Sequence, residues 1–226
     1  MDVLAEVLQS AVRLQRLVPD AVLVGGSAAA YYAGHRQSFD HDHVLTDLVE
    51  RYGAVLDAVE ASDGWATSVR ASSPPFTILG SLDGVEAGLR QLRRRRPLET
   101  ARVEVAGAGE LVVPTIEETL RVKAYLVVQR NQTRDYLDVA ALADAMGHAP
   151  AVTTLLAIDD YYADRSDEQG AVSTLLVERL AQPDPRDRRT IDELPRYKGL
   201  LPRWHDWSAV VQVCADLAAA MVDGGE

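Results

Sequence analysis

The stretch AVLVGGSAAAYYAGHRQSFDHD, residues 21–42, constrains this chain more than any other. A short apolar run closed by two glycines is the pattern of a buried strand running into a turn. Ser27 stands where an N-cap belongs, opening a short Ala-rich helix that Gly34 would end. Residues 37–42 fit a second strand, and strand positions two apart share a face. Asp40 and Asp42 therefore present two carboxylates side by side, with His41 on the opposite face. Like charges this close repel unless a cation joins them, and hard oxygen ligands favour Mg²⁺. A His-rich cluster would favour Zn²⁺ instead, but His41 is expected to face away from the pair. Gly25 and Gly26 let the backbone approach a ligand closely, and the start of a helix at Ser27 offers free N–H groups to a phosphate. Gly-Gly-Ser alone is an ordinary turn, and Asp-x-Asp alone an ordinary solvated strand end. Their order, strand–turn–helix–strand, is what makes the combination specific.

The rest of the chain supplies the frame. Val3–Leu17 has helical spacing, and residues 44–61 read as another helix. WATSVRA (65–71) is a strand, and FTILGSL-DG-VEAGLRQL (76–92) is two strands joined by Asp-Gly, the strongest short-range hairpin signal. ARVEV and ELVV, within 101–113, are two more short strands. Thr115-Ile-Glu-Glu118 has the form of a capping box, opening a helix to about Arg130; Asn131–Gln132 breaks it and a second helix runs to about Met146. Gly147–Pro150 reads as a loop, followed by helices near 151–163, 167–181 and 206–222. A soft boundary falls near 114. The expected fold is α+β, a small mixed sheet with flanking helices (1–114), followed by an all-α C-terminal domain (115–226).

The 226 residues are enough for a sizeable core, and no apolar run approaches the ~20 residues that span a membrane. The N-terminus lacks a basic region followed by a cleavage site, and the single Cys214 excludes a disulfide framework and a cysteine-based metal site. A cytoplasmic protein is expected. A net charge of −11 disfavours general nucleic-acid binding, yet Arg90, Arg93, Arg94, Arg95, Arg96 and Arg102 lie close together, so a local basic surface is compatible with an acidic chain.

Gly25-Gly26-Ser27, twelve residues, then Asp40-His41-Asp42 resembles the signature of the nucleotidyltransferase superfamily related to DNA polymerase β. EETLRVKAYLVVQRNQTRDYLDVAALAD (117–144), with Lys123, Arg130, Arg134, Asp135 and Asp138, is similar to the helical pair of the AbiEii/MenT-like nucleotidyltransferase toxins, as is His35-Arg36-Gln37-Ser38 before the aspartates. The resemblance covers roughly residues 20–145. It implies a nucleotidyltransferase catalytic core in residues 1–114, an active-site cleft completed by the helical domain 115–226, and a third carboxylate on a strand neighbouring the pair. Glu86 faces opposite to Val85, Ala87 and Leu89 and is the first candidate; Glu104 is its rival, and Asp83 is better explained by the turn.

On this resemblance Asp40, Asp42 and Glu86 hold two Mg²⁺ ions, and Gly25, Gly26 and Ser27 grip the phosphates of a nucleoside triphosphate such as ATP or CTP. Arg36, Lys123 and Arg130 offset phosphate charge, with Lys123 in a catalytic role, and Asp135 completes the nucleotide-binding set. A solvated helix face, with Glu117 and Asp138 as partners, also explains Lys123, Arg130 and Arg134. The implied activity is transfer of a nucleotide to an acceptor hydroxyl, that of the 3′ end of tRNA, by the toxin of a toxin–antitoxin system whose antitoxin is a separate protein. Two other classes stay open: a small-molecule transferase of the aminoglycoside type, suited to the acidic C-terminal half, and a non-catalytic descendant that binds a nucleotide or partner.

Overall fold

The computed structural model describes residues 3–165, 170–197 and 199–224. The chain divides into two compact units: residues 1–31 with 37–115, and residues 32–36 with 116–226.

The first unit is built on a five-stranded mixed sheet. Its elements are α1 (Val3–Leu17), β1 (Val22–Val24), α2 (Gly25–Ala33, whose last two residues belong to the second unit), β2 (Asp40–Leu45), α3 (Leu48–Glu60), β3 (Trp65–Thr67), β4 (Thr77–Leu82) and β5 (Val85–Gln91). The strand order is β1-β2-β5-β4-β3. β2 and β5 run parallel at the centre, and the other three pairings are antiparallel. One face of the sheet is dry: Leu45, Ile78, Leu82, Ala87 and Leu89 pack with Leu14 and Val18 near the end of α1 and with Leu48, Val55 and Val59 of α3. Each of the leucine, isoleucine and valine side chains removed from water contributes about 1.5–3 kcal/mol.

The Asp-Gly hairpin forms as expected. Asp83 and Gly84 both have positive φ (51° and 83°), the backbone of a type I′ turn whose twist matches its strands. Space around Gly84 is open, so Gly84→Ala tests backbone strain alone; denaturant unfolding is expected to show a loss of about 1–2 kcal/mol. A separate ribbon, β6 (Thr100–Val105) and β7 (Gly109–Pro114), packs on α1 and β1. Here the Gln15 amide donates to the Val112 carbonyl and accepts from the Val112 N–H, both at 2.8 Å.

The second unit is helical: α4 (Ile116–Arg130), α5 (Thr133–Met146), α6 (His148–Leu156), α7 (Ile158–Tyr162), α8 (Val172–Ala181), α9 (Arg189–Asp192) and α10 (Trp207–Asp223). α5 is its most buried element, with Tyr136, Leu137, Val139, Ala140 and Leu142 fully enclosed and Tyr136 edge-on to Trp207. Asn131, at φ 51°, makes the break between α4 and α5. The described helices include none long and apolar enough to cross a membrane.

The α+β class expected for a nucleotidyltransferase-type fold is the one observed, with local corrections. Gly147 is a one-residue break at φ 92°, after which α6 starts at His148, so the expected loop to Pro150 is mostly helix. The expected helix 167–181 is seen from Val172; residues 167–169 lie outside the described residues. The second strand covers residues 40–45, not 37–42.

Candidate active site

β1 ends at Val24, which pairs with Asp42, and the chain turns directly into α2 at Gly25. Gly25 has φ 78°, and a side chain there would begin 3.6 Å from the Asp42 Cβ and 3.7 Å from its Oδ2. Only a glycine makes this turn without strain, and it puts the first turn of α2 beside the aspartate. Ser27 is therefore inside the helix and is not its N-cap. It is buried, and its hydroxyl donates to the main-chain carbonyl of Asp40. The serine thus ties the turn to the aspartate strand, and the anion-binding capacity of the turn rests on its backbone N–H groups.

On β2 the residues alternate as the strand period requires. Asp40 and Asp42 are half-buried on one face, while His41, His43 and Leu45 are buried on the other. His41 Nε2 lies 3.0 Å from the Ser10 hydroxyl and the two imidazoles meet at 3.5 Å, Nδ1 to Nδ1. Burial pushes the His41 pKa down to about 4, against the pull of Asp40, and burial with His41 beside it pushes His43 well below the usual value. Both rings are neutral at pH 7 and belong to the core beneath the carboxylates.

The parallel register of β2 on β5 sets Asp40 against Glu86 and Asp42 against Gly88. Asp40, Asp42, Glu86 and Arg90 all line one pocket of about 220 Å³, floored by Leu79, Gly80 and Gly88 and edged by Ser68 and Ala71. Glu104 is on the other sheet, opposite Glu110. Of the two rivals, the structure brings Glu86 to the aspartates. Within the pocket, Asp40 Oδ1 accepts from the Ser38 hydroxyl at 3.2 Å, and Arg90 Nε donates to Asp42 Oδ1 at 3.1 Å. Arg90 was visible in the sequence only as one of a run of arginines; the signal for its position is the period of β5, which puts residues 86, 88 and 90 on one face.

The remaining candidates gather in the helical unit. Asp138 is fully buried and takes four contacts: His35 Nε2 at 2.7 Å, Arg36 Nε and a terminal Arg36 nitrogen at 2.9 and 3.1 Å, and Lys123 Nζ at 2.7 Å. Burial alone would raise its pKa; Arg36, Lys123 and His35 overcome this and hold it well below the carboxylate range. Burial lowers that of His35, so the neutral ring donates from Nε2. Arg130 pairs with buried Asp135 at 2.8 Å. Burial raises the Asp135 pKa against the opposing pull of Lys123 and Arg130. Lys123 and Arg36 are buried within ion pairs, whereas the side chain of Arg130 keeps 36% exposure.

Among the described residues no three histidine, cysteine or carboxylate side chains converge to cage a metal ion. The pocket does fit Mg²⁺, which takes one or two protein carboxylates and completes its octahedron with water and substrate phosphate. Asp40 and Asp42, oxygen donors on one face beside the turn at Gly25, are that donor set.

No family model matches this chain. The heme uptake protein MmpL11 of Mycobacterium tuberculosis is 31% identical over 239 residues, which takes in 96% of this chain and 22% of MmpL11. The chain thus spans about a fifth of the length of the curated relatives it matches. Among solved structures, the antibiotic-resistance factor ANT(2'')-Ia is similar with a TM-score of 0.52 at 14% identity, covering 73% of this chain and 96% of that one. JHP933 from Helicobacter pylori has a TM-score of 0.52 at 15% identity, covering 97% of this chain and 90% of its own. At these identities the likeness is one of fold, and it extends over both units of the chain in the second case.

Proposed function

We propose that the chain is a Mg²⁺-dependent nucleotidyltransferase that moves a nucleoside monophosphate from a nucleoside triphosphate to an acceptor hydroxyl. The observation that carries this reading is the single face bearing Asp40, Asp42 and Glu86 beside the turn at Gly25. In the reaction the acceptor oxygen forms a bond to the α-phosphorus, the bond to the bridging oxygen breaks, and pyrophosphate leaves. The acceptor proton passes to a pocket carboxylate. Asp40 and Asp42, with Glu86, would hold the metal, which when bound neutralises phosphate charge and acidifies the acceptor hydroxyl. The N–H groups of Gly25, Gly26 and Ser27 receive phosphate oxygens. Roles for Arg36, Lys123, Arg130 and Asp135 in nucleotide binding are proposed on the resemblance, and Arg130, the more exposed cation, is the one open to an anion.

The same resemblance supports the 3′ end of tRNA as acceptor and a toxin–antitoxin role with a separate antitoxin. The test is incubation with each α-labelled triphosphate, Mg²⁺ and total tRNA, beside Asp42→Ala. Label on tRNA with the wild-type chain and none with the variant is expected. Label only on an added aminoglycoside would replace the acceptor, and label on nothing would defeat the enzyme reading.

A further inference from the structure

A cation already stands among these carboxylates. Residues 86, 88 and 90 of β5 share the pocket face, in the order Glu, Gly, Arg. Gly88 is opposite Asp42, and a Cβ placed on it would lie 2.3 Å from Asp42 Oδ1. The Asp42 carboxylate therefore reaches across bare backbone onto β5, where Arg90 Nε meets that same oxygen at 3.1 Å. Asp40 is held differently, by the Ser38 hydroxyl. Both partners of the ion pair are partly open, with side-chain exposures of 43% for Arg90 and 31% for Asp42. An ion pair this solvated is weak and exchanges easily.

We propose that Arg90 holds Asp42 in place of a divalent ion, yields it when the ion binds, and then turns its guanidinium to the phosphate of the ligand. This rests on reading the pocket as a metal–nucleotide site. Arg90 acts on the metal through Asp42, so its role there is one of positioning. Gly88 is what makes the exchange possible, because any side chain would keep the carboxylate off β5. Arginine suits both stations, since its planar fork pairs with carboxylate and phosphate alike.

The test uses the full chain and Mn²⁺ as probe, with free ion counted by electron paramagnetic resonance in the absence of nucleotide. Arg90→Gln removes the competitor and one positive charge, and is expected to bind Mn²⁺ about three- to tenfold more tightly than wild type. Arg90→Lys, which keeps the charge, is expected to stay near wild type. With Mn²⁺ present, calorimetry with inorganic tripolyphosphate is expected to show the opposite sign: binding weakened by about threefold or more in Arg90→Gln and recovered in Arg90→Lys. A merely structural role would not move the two affinities in opposite directions. If wild type binds Mn²⁺ and loses it in Asp42→Asn, but Arg90→Gln binds no more tightly, the Arg90 inference falls and the metal reading stands. Unchanged tripolyphosphate affinity in Arg90→Gln overturns the handover. If neither wild type nor Arg90→Gln binds Mn²⁺, both readings fall.

Discussion

Asp40→Asn is expected to lower nucleotide transfer on the order of a thousandfold, about 4 kcal/mol in the barrier, with the fold intact. The substitution keeps shape and removes one negative charge. Asp40 is half-buried, and its side-chain hydrogen bond from Ser38 is a long one at 3.2 Å, which an amide oxygen can also accept. The tie from Ser27 goes to the Asp40 main chain and is untouched. Stability should therefore hold while the charge that faces the metal is gone. Asp42→Asn should lose as much, with the Arg90 pair broken as well. Label incorporation beside a thermal melt checks both. Activity within tenfold of wild type in Asp40→Asn, at unchanged melting temperature, would remove this carboxylate pair from the chemistry.

The second large effect concerns folding. Asp138→Asn is expected to destabilise the chain by about 3–5 kcal/mol, a large part of an ordinary domain's 5–15 kcal/mol. The carboxylate is the buried counter-charge for Arg36 and Lys123 and the acceptor for His35. An amide leaves two buried cations without that charge and turns its own N–H groups on one of them. The pH dependence follows from the depressed pKa of Asp138. A carboxylate whose folded value lies below its unfolded value, near 3.9, stabilises fully above that unfolded value and loses its contribution as pH falls through the folded one. The gap between wild type and variant should be complete at neutral pH and close only below about pH 4. Denaturant melts at several pH values measure it; a gap under 1 kcal/mol at pH 7 would show that the cluster is not held by this carboxylate.

The sequence made some of this visible and hid the rest for physical reasons. The Asp83-Gly84 hairpin was legible because both residues favour the backbone a type I′ turn needs. The facing of Asp40 and Asp42 was legible from strand period alone. The span of β2 was not, since His41 and His43 look polar and are in fact core residues, which hides the alternation that runs on to Leu45. Ser27 looked like an N-cap because its type suits one; the turn at Gly25 starts the helix two residues earlier. Glu86 could be chosen from its strand facing, but only the parallel register of β5 on β2 separates it from Glu104. That register, and the joining of Asp138 to residues 102 and 103 positions away, are long-range facts with no local trace.

Gln15 has a consequence of another kind. A two-stranded ribbon exposes an outer row of amide and carbonyl groups along each edge, an invitation to any other extended chain. At Val112 a glutamine on α1 occupies both groups of that row, imitating the backbone of a third strand. The helix thereby closes to strangers an edge that β6 and β7 cannot close for themselves, and protection against strand-to-strand association depends on a side chain nearly a hundred residues earlier in the chain.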